Sequence, residues 1–239
     1  MRILLIISLV AAATLSAAIG EEASNHHFKG RTVQAMRTYL AGLKSAIARA
    51  DVKSEVLYLN NIAVLFSSLN ETDSAKVYLD AAAKAAKLSE PFTAITALNR
   101  AFLEKKYLQI DAISLKRWED SLSVFESAAL YTAAGRMELS ANKPSVAEEY
   151  FKRSIKLLSK ETGSYGYADA LYNLGMTHLS RKDYAKANAS LEMALDIFRK
   201  SAYTAGIRKS LTALAECATT TGKTAQAEQY KMLLERLPK

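Results

Sequence analysis

The chain has 239 residues, a formal net charge of +8, and few turn formers: three prolines and nine glycines beside 41 alanines. Average usage would give roughly 5% proline and ~7% glycine, so an all-β sandwich or barrel, with its many tight turns, is excluded. One cysteine excludes a disulfide scaffold, and a half-apolar composition excludes wholesale disorder. What remains is a helical protein long enough to bury a core.

The chain opens on the three-part layout of a secretory signal. Met1-Arg2 is a short positive start, Ile3 to Leu15 is uncharged and apolar, and Ser16-Ala17-Ala18 supplies small residues. Cleavage after Ala18 or after Gly20 fits equally well. The expectation is therefore a signal peptide over 1–20, a flexible leader over 21–30 and a helical domain over 31–239. No transmembrane segment is left after cleavage. Export into an oxidising compartment, with Cys217 alone and no intramolecular disulfide to form, suits a periplasm, with secretion as the other destination.

Beyond the leader, Thr32 to Ala50 reads as one helix, and the rest of the chain repeats itself. Counting Ala168 as position 1, Leu171, Leu174, Gly175 and His178 fall at 4, 7, 8 and 11. Tyr184, Ala187, Leu191 and Ala194 fall at 17, 20, 24 and 27. A copy begins at Val56, with Leu59, Ile62, Ala63 and Phe66 and then Ala75, Leu79 and Ala82 at matching positions. Weaker copies begin at Ala128 and Arg208, each 40 residues from the copy at Ala168. A degenerate copy near Phe92 keeps Ile95, Leu98 and Phe102, but has Asp111 and Trp118 where small residues belong. One step back from Val56, Ala35, Tyr39 and Gly42 occupy positions 20, 24 and 27 of a half-unit that would cap the first full repeat.

This pattern resembles the tetratricopeptide repeat, a helix–turn–helix unit with small residues at 8, 20 and 27. The run Leu59 to Phe66 looks like the first helix of the longer kinesin-light-chain-type repeats. The resemblance implies an all-α fold: a right-handed α-solenoid of stacked antiparallel helix pairs, about five repeats plus an N-terminal helix. The physics agrees, because one helix pair cannot bury both its faces and stacking makes the core continuous. Pro91 opens a helix, Pro144 falls at the turn within a pair and Pro238 follows the last helix.

Catalytic and ligand motifs are weak. Gly222-Lys223-Thr224 is only the tail of a phosphate loop and reads as the turn inside the last pair. His26 and His27 are adjacent, and His178 lies on a core stripe, which gives no metal-binding pattern. Cys217 reads as an apolar filler. No basic run exceeds two residues, which argues against nucleic acid. The expectation is no enzyme, no cofactor and no metal.

In proteins of the resembled family, the first helix of each pair lines a concave groove. Carried over, that pattern gives Asn60, Asn61 and Val64 in the first full unit, Arg100 in the degenerate one and Arg136 in the next. Asp169, Tyr172, Asn173 and Met176 follow in the best-matched unit, and Lys209, Thr212 and Glu216 in the last. Asparagine can pair with a peptide backbone and arginine with an acidic side chain. The function so implied is an exported, non-catalytic scaffold holding a protein or peptide segment in its groove. The alternative is a self-associating homo-oligomeric module of a cell-envelope assembly.

Overall fold

The computed structural model describes residues 22–23, 26–27, 31–88 and 90–237. The expected signal over 1–20, most of the 21–30 leader and Pro238 lie outside the described residues. Among the described residues the regular structure is helical: α1 (Thr32–Ala48), α2 (Val52–Ser68), α3 (Thr72–Ala85), a 3₁₀ turn (Ala86–Leu88), α4 (Glu90–Glu104), α5 (Ala112–Trp118), α6 (Val124–Ser140), α7 (Pro144–Leu157), α8 (Tyr165–Ser180), α9 (Tyr184–Lys200), α10 (Thr204–Thr220) and α11 (Thr224–Glu235). This is the expected all-α stack, a leading helix followed by successive helix pairs. The chain divides into two compact units, one through Ala133 and one from Ala134.

The helix starts follow from local chemistry. Asp51, Asp111, Ser164 and Asp183 each cap a helix by accepting from the backbone N–H three residues on, at 3.1, 2.8, 3.2 and 3.3 Å. Ser123 and Glu126 form a reciprocal capping box at the head of α6, with bonds of 2.7 and 3.2 Å. Pro144 occupies the first turn of α7, where a missing N–H costs nothing.

The small residues at position 8 have a visible cause. A Cβ on Gly175 would lie 2.7 Å from Leu191, and one on Gly135 would lie 2.7 Å from Phe151. Leu191 and Phe151 both stand at position 24 of their repeats, so the large residue of the second helix seats on the bare backbone of the first. The turn within a pair has its own signature. Position 15 of the four better-matched repeats, Asn70, Asn142, Lys182 and Gly222, has φ of 64°, 59°, 60° and 72°. Gly222 is thus a turn residue of the last pair, as expected.

In the first unit, α1 lays Ala35, Tyr39, Gly42 and Ala46 on α2, around Tyr58, Ile62 and Leu65. The degenerate repeat is uneven: its first helix, α4, runs 15 residues, whereas α5 has seven. Asp111, too polar for a small core position, serves as the α5 cap instead. In the second unit, the longer period is taken up by α9 and α10, each of 17 residues. Their apolar faces meet α11 in one cluster containing Leu191, Leu195, Leu211, Leu214, Ala227 and Tyr230. Cys217 of α10 is buried, and burial pushes its thiol above the usual value, as suits a filler.

Candidate protein-binding face

Several polar residues on the first helices of the repeats are buried and bond to one another within each unit. In the first unit, Asn60 of α2 is fully engaged. Its Nδ2 donates to the Val56 carbonyl (2.9 Å) and to Thr96 Oγ1 (3.0 Å), and its Oδ1 accepts from Asn99 Nδ2 (2.8 Å). Thr96 and Asn99 belong to α4, so one amide ties two neighbouring first helices. Lys53 of α2 reaches Glu126 of α6 at 3.1 Å while passing over the Phe92 ring of α4. Asn61 is buried beside Asn60, and its Oδ1 has no hydrogen-bond partner. Val64 is buried as well, within an unbroken buried run from Val56 to Leu65. Arg100 lies nearer the surface and pairs with Asp80 of α3 at 2.5 Å.

The second unit holds a charged counterpart. Asp169 of α8, almost wholly buried, accepts from Arg136 of α6 on one oxygen and from Lys209 of α10 (3.0 Å) on the other. Arg136 Nε also donates to Asn173 Oδ1 at 3.1 Å, and Asn173 Nδ2 donates back to the Asp169 carbonyl at 2.6 Å. Burial alone would raise the Asp169 carboxyl. The Arg136 and Lys209 cations outweigh it and hold the group below its ordinary value. The Lys209 ammonium is pulled down by its own burial against the opposing pull of Asp169.

Lys209 is the outer member of this trio. Its side chain is 28% exposed and its Nζ sits 4.5 Å from the centre of the Tyr172 ring. Burial and the nearby Asp169 push the Tyr172 hydroxyl up to about 12, so it stays a neutral donor. Tyr172 and Met176, both of α8, are half-buried and rest on the α9–α11 core cluster. Beside them on α10, Thr212 is half-buried and Glu216 exposed. Of the sequence-derived groove residues, Arg136, Asp169, Tyr172 and Asn173 therefore come together around Lys209. Asn60, Asn61 and Val64 are internal to the first unit, and Arg100 stands apart from them.

Thr96 and Asn99 complete the amide ladder, and sequence reasoning did not single out their pairing with Asn60. The signal was a recurrence of polar residues one repeat apart: Asn60 and Thr96 are 36 residues apart, Asp169 and Lys209 are 40.

Among the described residues, no cluster of histidine, cysteine and carboxylates could hold a metal ion, and no helix is long and apolar enough to cross a membrane. A recess of about 330 Å³ in the second unit is lined by Tyr184, Asn188, Cys217 and Lys223. The Cys217 thiol donates to the Tyr184 carbonyl at 3.6 Å.

A solved structure shares this architecture. The structure of BtubC (BKLC) from P. vanneervenii superposes with a TM-score of 0.60 at 18% identity, covering 92% of this chain and 90% of that one. PilF of Pseudomonas aeruginosa gives 0.49 at 17% identity, over 89% and 93%. No curated protein sequence matches the chain. The tetratricopeptide-repeat model matches residues 126–200 and 166–232, the stretch that contains the Arg136–Asp169–Lys209 trio. With its repeat spacing, small-residue contacts and helix pairing all in place, the stretch 126–232 is built of tetratricopeptide repeats.

Proposed function

We propose that the protein is an exported, non-catalytic scaffold that holds a protein or peptide segment against the first helices of its second unit. The family and the fold support the coarser part, a protein–protein interaction module. The observation that carries the finer part is the Lys209–Tyr172–Met176 face. It combines a half-exposed aromatic, a thioether and a cation, fixed from behind by the Asp169 carboxylate. Such a face suits an extended segment with one apolar and one acidic side chain, the cation taking the carboxylate and Tyr172 with Met176 taking the apolar group. The preset geometry lowers the ordering cost of binding.

Export rests on the arrangement of residues 1–20 and places the scaffold in a periplasm or outside the cell. The scattered positive charge favours acidic protein partners over nucleic acid. The binding test is selection from a displayed random-peptide library on the purified chain. Peptides enriched on the parent should be lost on a Tyr172→Ala/Met176→Ala variant that keeps its far-UV spectrum. Equal enrichment on both proteins would remove the face from consideration. The export test is mass measurement of the N-terminus after expression in a Gram-negative host: a start at Ile19 or Glu21 supports cleavage, and an intact Met1 in the envelope refutes it.

A further inference from the structure

The helix α1 carries an apolar stripe on the side turned away from α2. Val33, Leu40 and Ile47 are 61%, 41% and 56% exposed, and they stand seven residues apart. At 3.6 residues per turn they fall within about 40° of one another, in a line along the whole helix. Met36 and Leu43 lie between them, half-buried at the edge of the α1–α2 core. The five residues stand at i, i+3, i+7, i+10 and i+14, which is the a/d seam that receives a second helix by knobs into holes. The buried face of α1 is a different one, built from Ala35, Tyr39, Gly42 and Ala46.

Charge says what kind of helix fits. Thr32–Ala48 contains no aspartate or glutamate, and its two charged residues, Arg37 and Lys44, each follow a seam residue directly. Both are exposed, at the flanking position whose charge selects the partner in a paired helix. We propose that the outer seam of α1 docks an amphipathic helix of a partner protein with aliphatic seam residues and acidic flanks. A second copy of this chain is disfavoured, because an antiparallel pair of α1 helices would bring Arg37 of one copy near Lys44 of the other. A lipid surface is disfavoured by width: an interfacial helix offers a broad apolar face anchored by aromatic or many aliphatic side chains, whereas this stripe has three exposed aliphatics and no exposed aromatic. The surface lies on α1 and is independent of the groove face on α8 and α10.

The probe is a labelled three-heptad peptide with leucine at a and d and glutamate at e and g, beside a twin with lysine at e and g. Fluorescence anisotropy with the full chain should show the glutamate peptide binding about tenfold or more tighter than its twin. Val33→Ser/Leu40→Ser/Ile47→Ser should weaken it by at least about tenfold with an unchanged far-UV spectrum. Arg37→Glu/Lys44→Glu should reverse the preference between the two peptides; both residues are exposed, so this variant carries the test if the triple variant unfolds. Tyr172→Ala/Met176→Ala should bind like the parent. The proposal is overturned by equal binding of the two peptides, by no binding of the glutamate peptide to the folded chain, or by loss of binding only in the groove variant. It is equally overturned if the triple substitution instead abolishes flotation with phosphatidylglycerol vesicles or a concentration-dependent dimer.

Discussion

Replacing Asp169 with asparagine should be among the most damaging single polar changes in the second unit. Asp169 sits between two cations, Arg136 and Lys209, and it is the anion that neutralises them in a buried setting. The amide keeps the shape and one acceptor but deletes the charge, leaving two like charges facing a neutral group. Breaking a buried ion pair from one side costs about 3–5 kcal/mol. Two features put the value at the lower end. Lys209 is 28% exposed and can turn its ammonium toward water, and Arg136 keeps its 3.1 Å bond to Asn173. The expected loss is therefore about 3 kcal/mol, more than a hundredfold in the folding equilibrium. Urea titration followed by far-UV circular dichroism measures it, and hydrogen exchange resolved on α8 should show the same loss of protection locally. Replacing all three groups together, Arg136→Met/Asp169→Leu/Lys209→Met, should cost far less, because no charge is then stranded. Acid makes the same break without mutation. Asp169 is held below its ordinary value, so its contribution is present above about pH 4 and is lost as pH falls through the lower folded value. A loss under about 1 kcal/mol for the single substitution, or a larger loss for the triple one, would refute this reasoning.

Three further outcomes follow from geometry elsewhere. Gly175→Ala should destabilise by about 1–2 kcal/mol in urea titration, since its Cβ would meet Leu191 at 2.7 Å and the overlap outweighs alanine's helix preference; adding Leu191→Val should recover part of the loss. Lys182→Gly should stabilise by about 0.5–1 kcal/mol, because Lys182 holds φ of 60° at a turn where glycine carries no Cβ penalty; thermal melting reads this directly. Burial lowers His27 to about 4, so the unfolded chain takes up its proton first on acidification. Stability from this group is complete above about pH 6.5 and falls as pH drops toward the folded value, by at most about 2 kcal/mol at pH 5; His27→Gln should flatten that part of the pH–stability curve.

How much of this was legible in the sequence depends on the distance over which each signal acts. The repeat was readable because its constraint is local and strict. Leu191 seats on Gly175 and Phe151 on Gly135, sixteen positions apart within one unit each time, so small and large residues recur in register. The turn residues were harder to read, since left-handed backbone at position 15 is held by Asn70, Asn142 and Lys182 as well as by Gly222. The shortening of α5 was foreshadowed by Asp111 and Trp118 at positions meant for small residues, but that Asp111 would cap the short helix depended on where the chain turned.

The inner face shows where single-helix reading stops. A polar residue on the first helix of a repeat is equally suited to a ligand or to the next first helix, and periodicity along one helix does not separate the two. Asn60 reaches Asn99, and Asp169 reaches both Arg136 and Lys209, each about one repeat away in sequence. Complementary side chains at equivalent positions of adjacent repeats are the signal for such ties: aspartate and lysine at position 2 of consecutive units, or asparagine and threonine at position 5. Once those ties are recognised, the groove divides physically. Residues already engaged from both sides, such as Asn60 and Asp169, set the spacing and rigidity of the stack, so altering them would be expressed first as stability. On the proposed reading, a half-exposed residue such as Tyr172 keeps a face for another molecule, so altering it would be expressed in affinity as well. A Tyr172→Ala change that removed peptide capture while the chain stayed folded, set against an Asp169→Asn change that moved the midpoint and kept capture, would separate the two roles within a single α-helix.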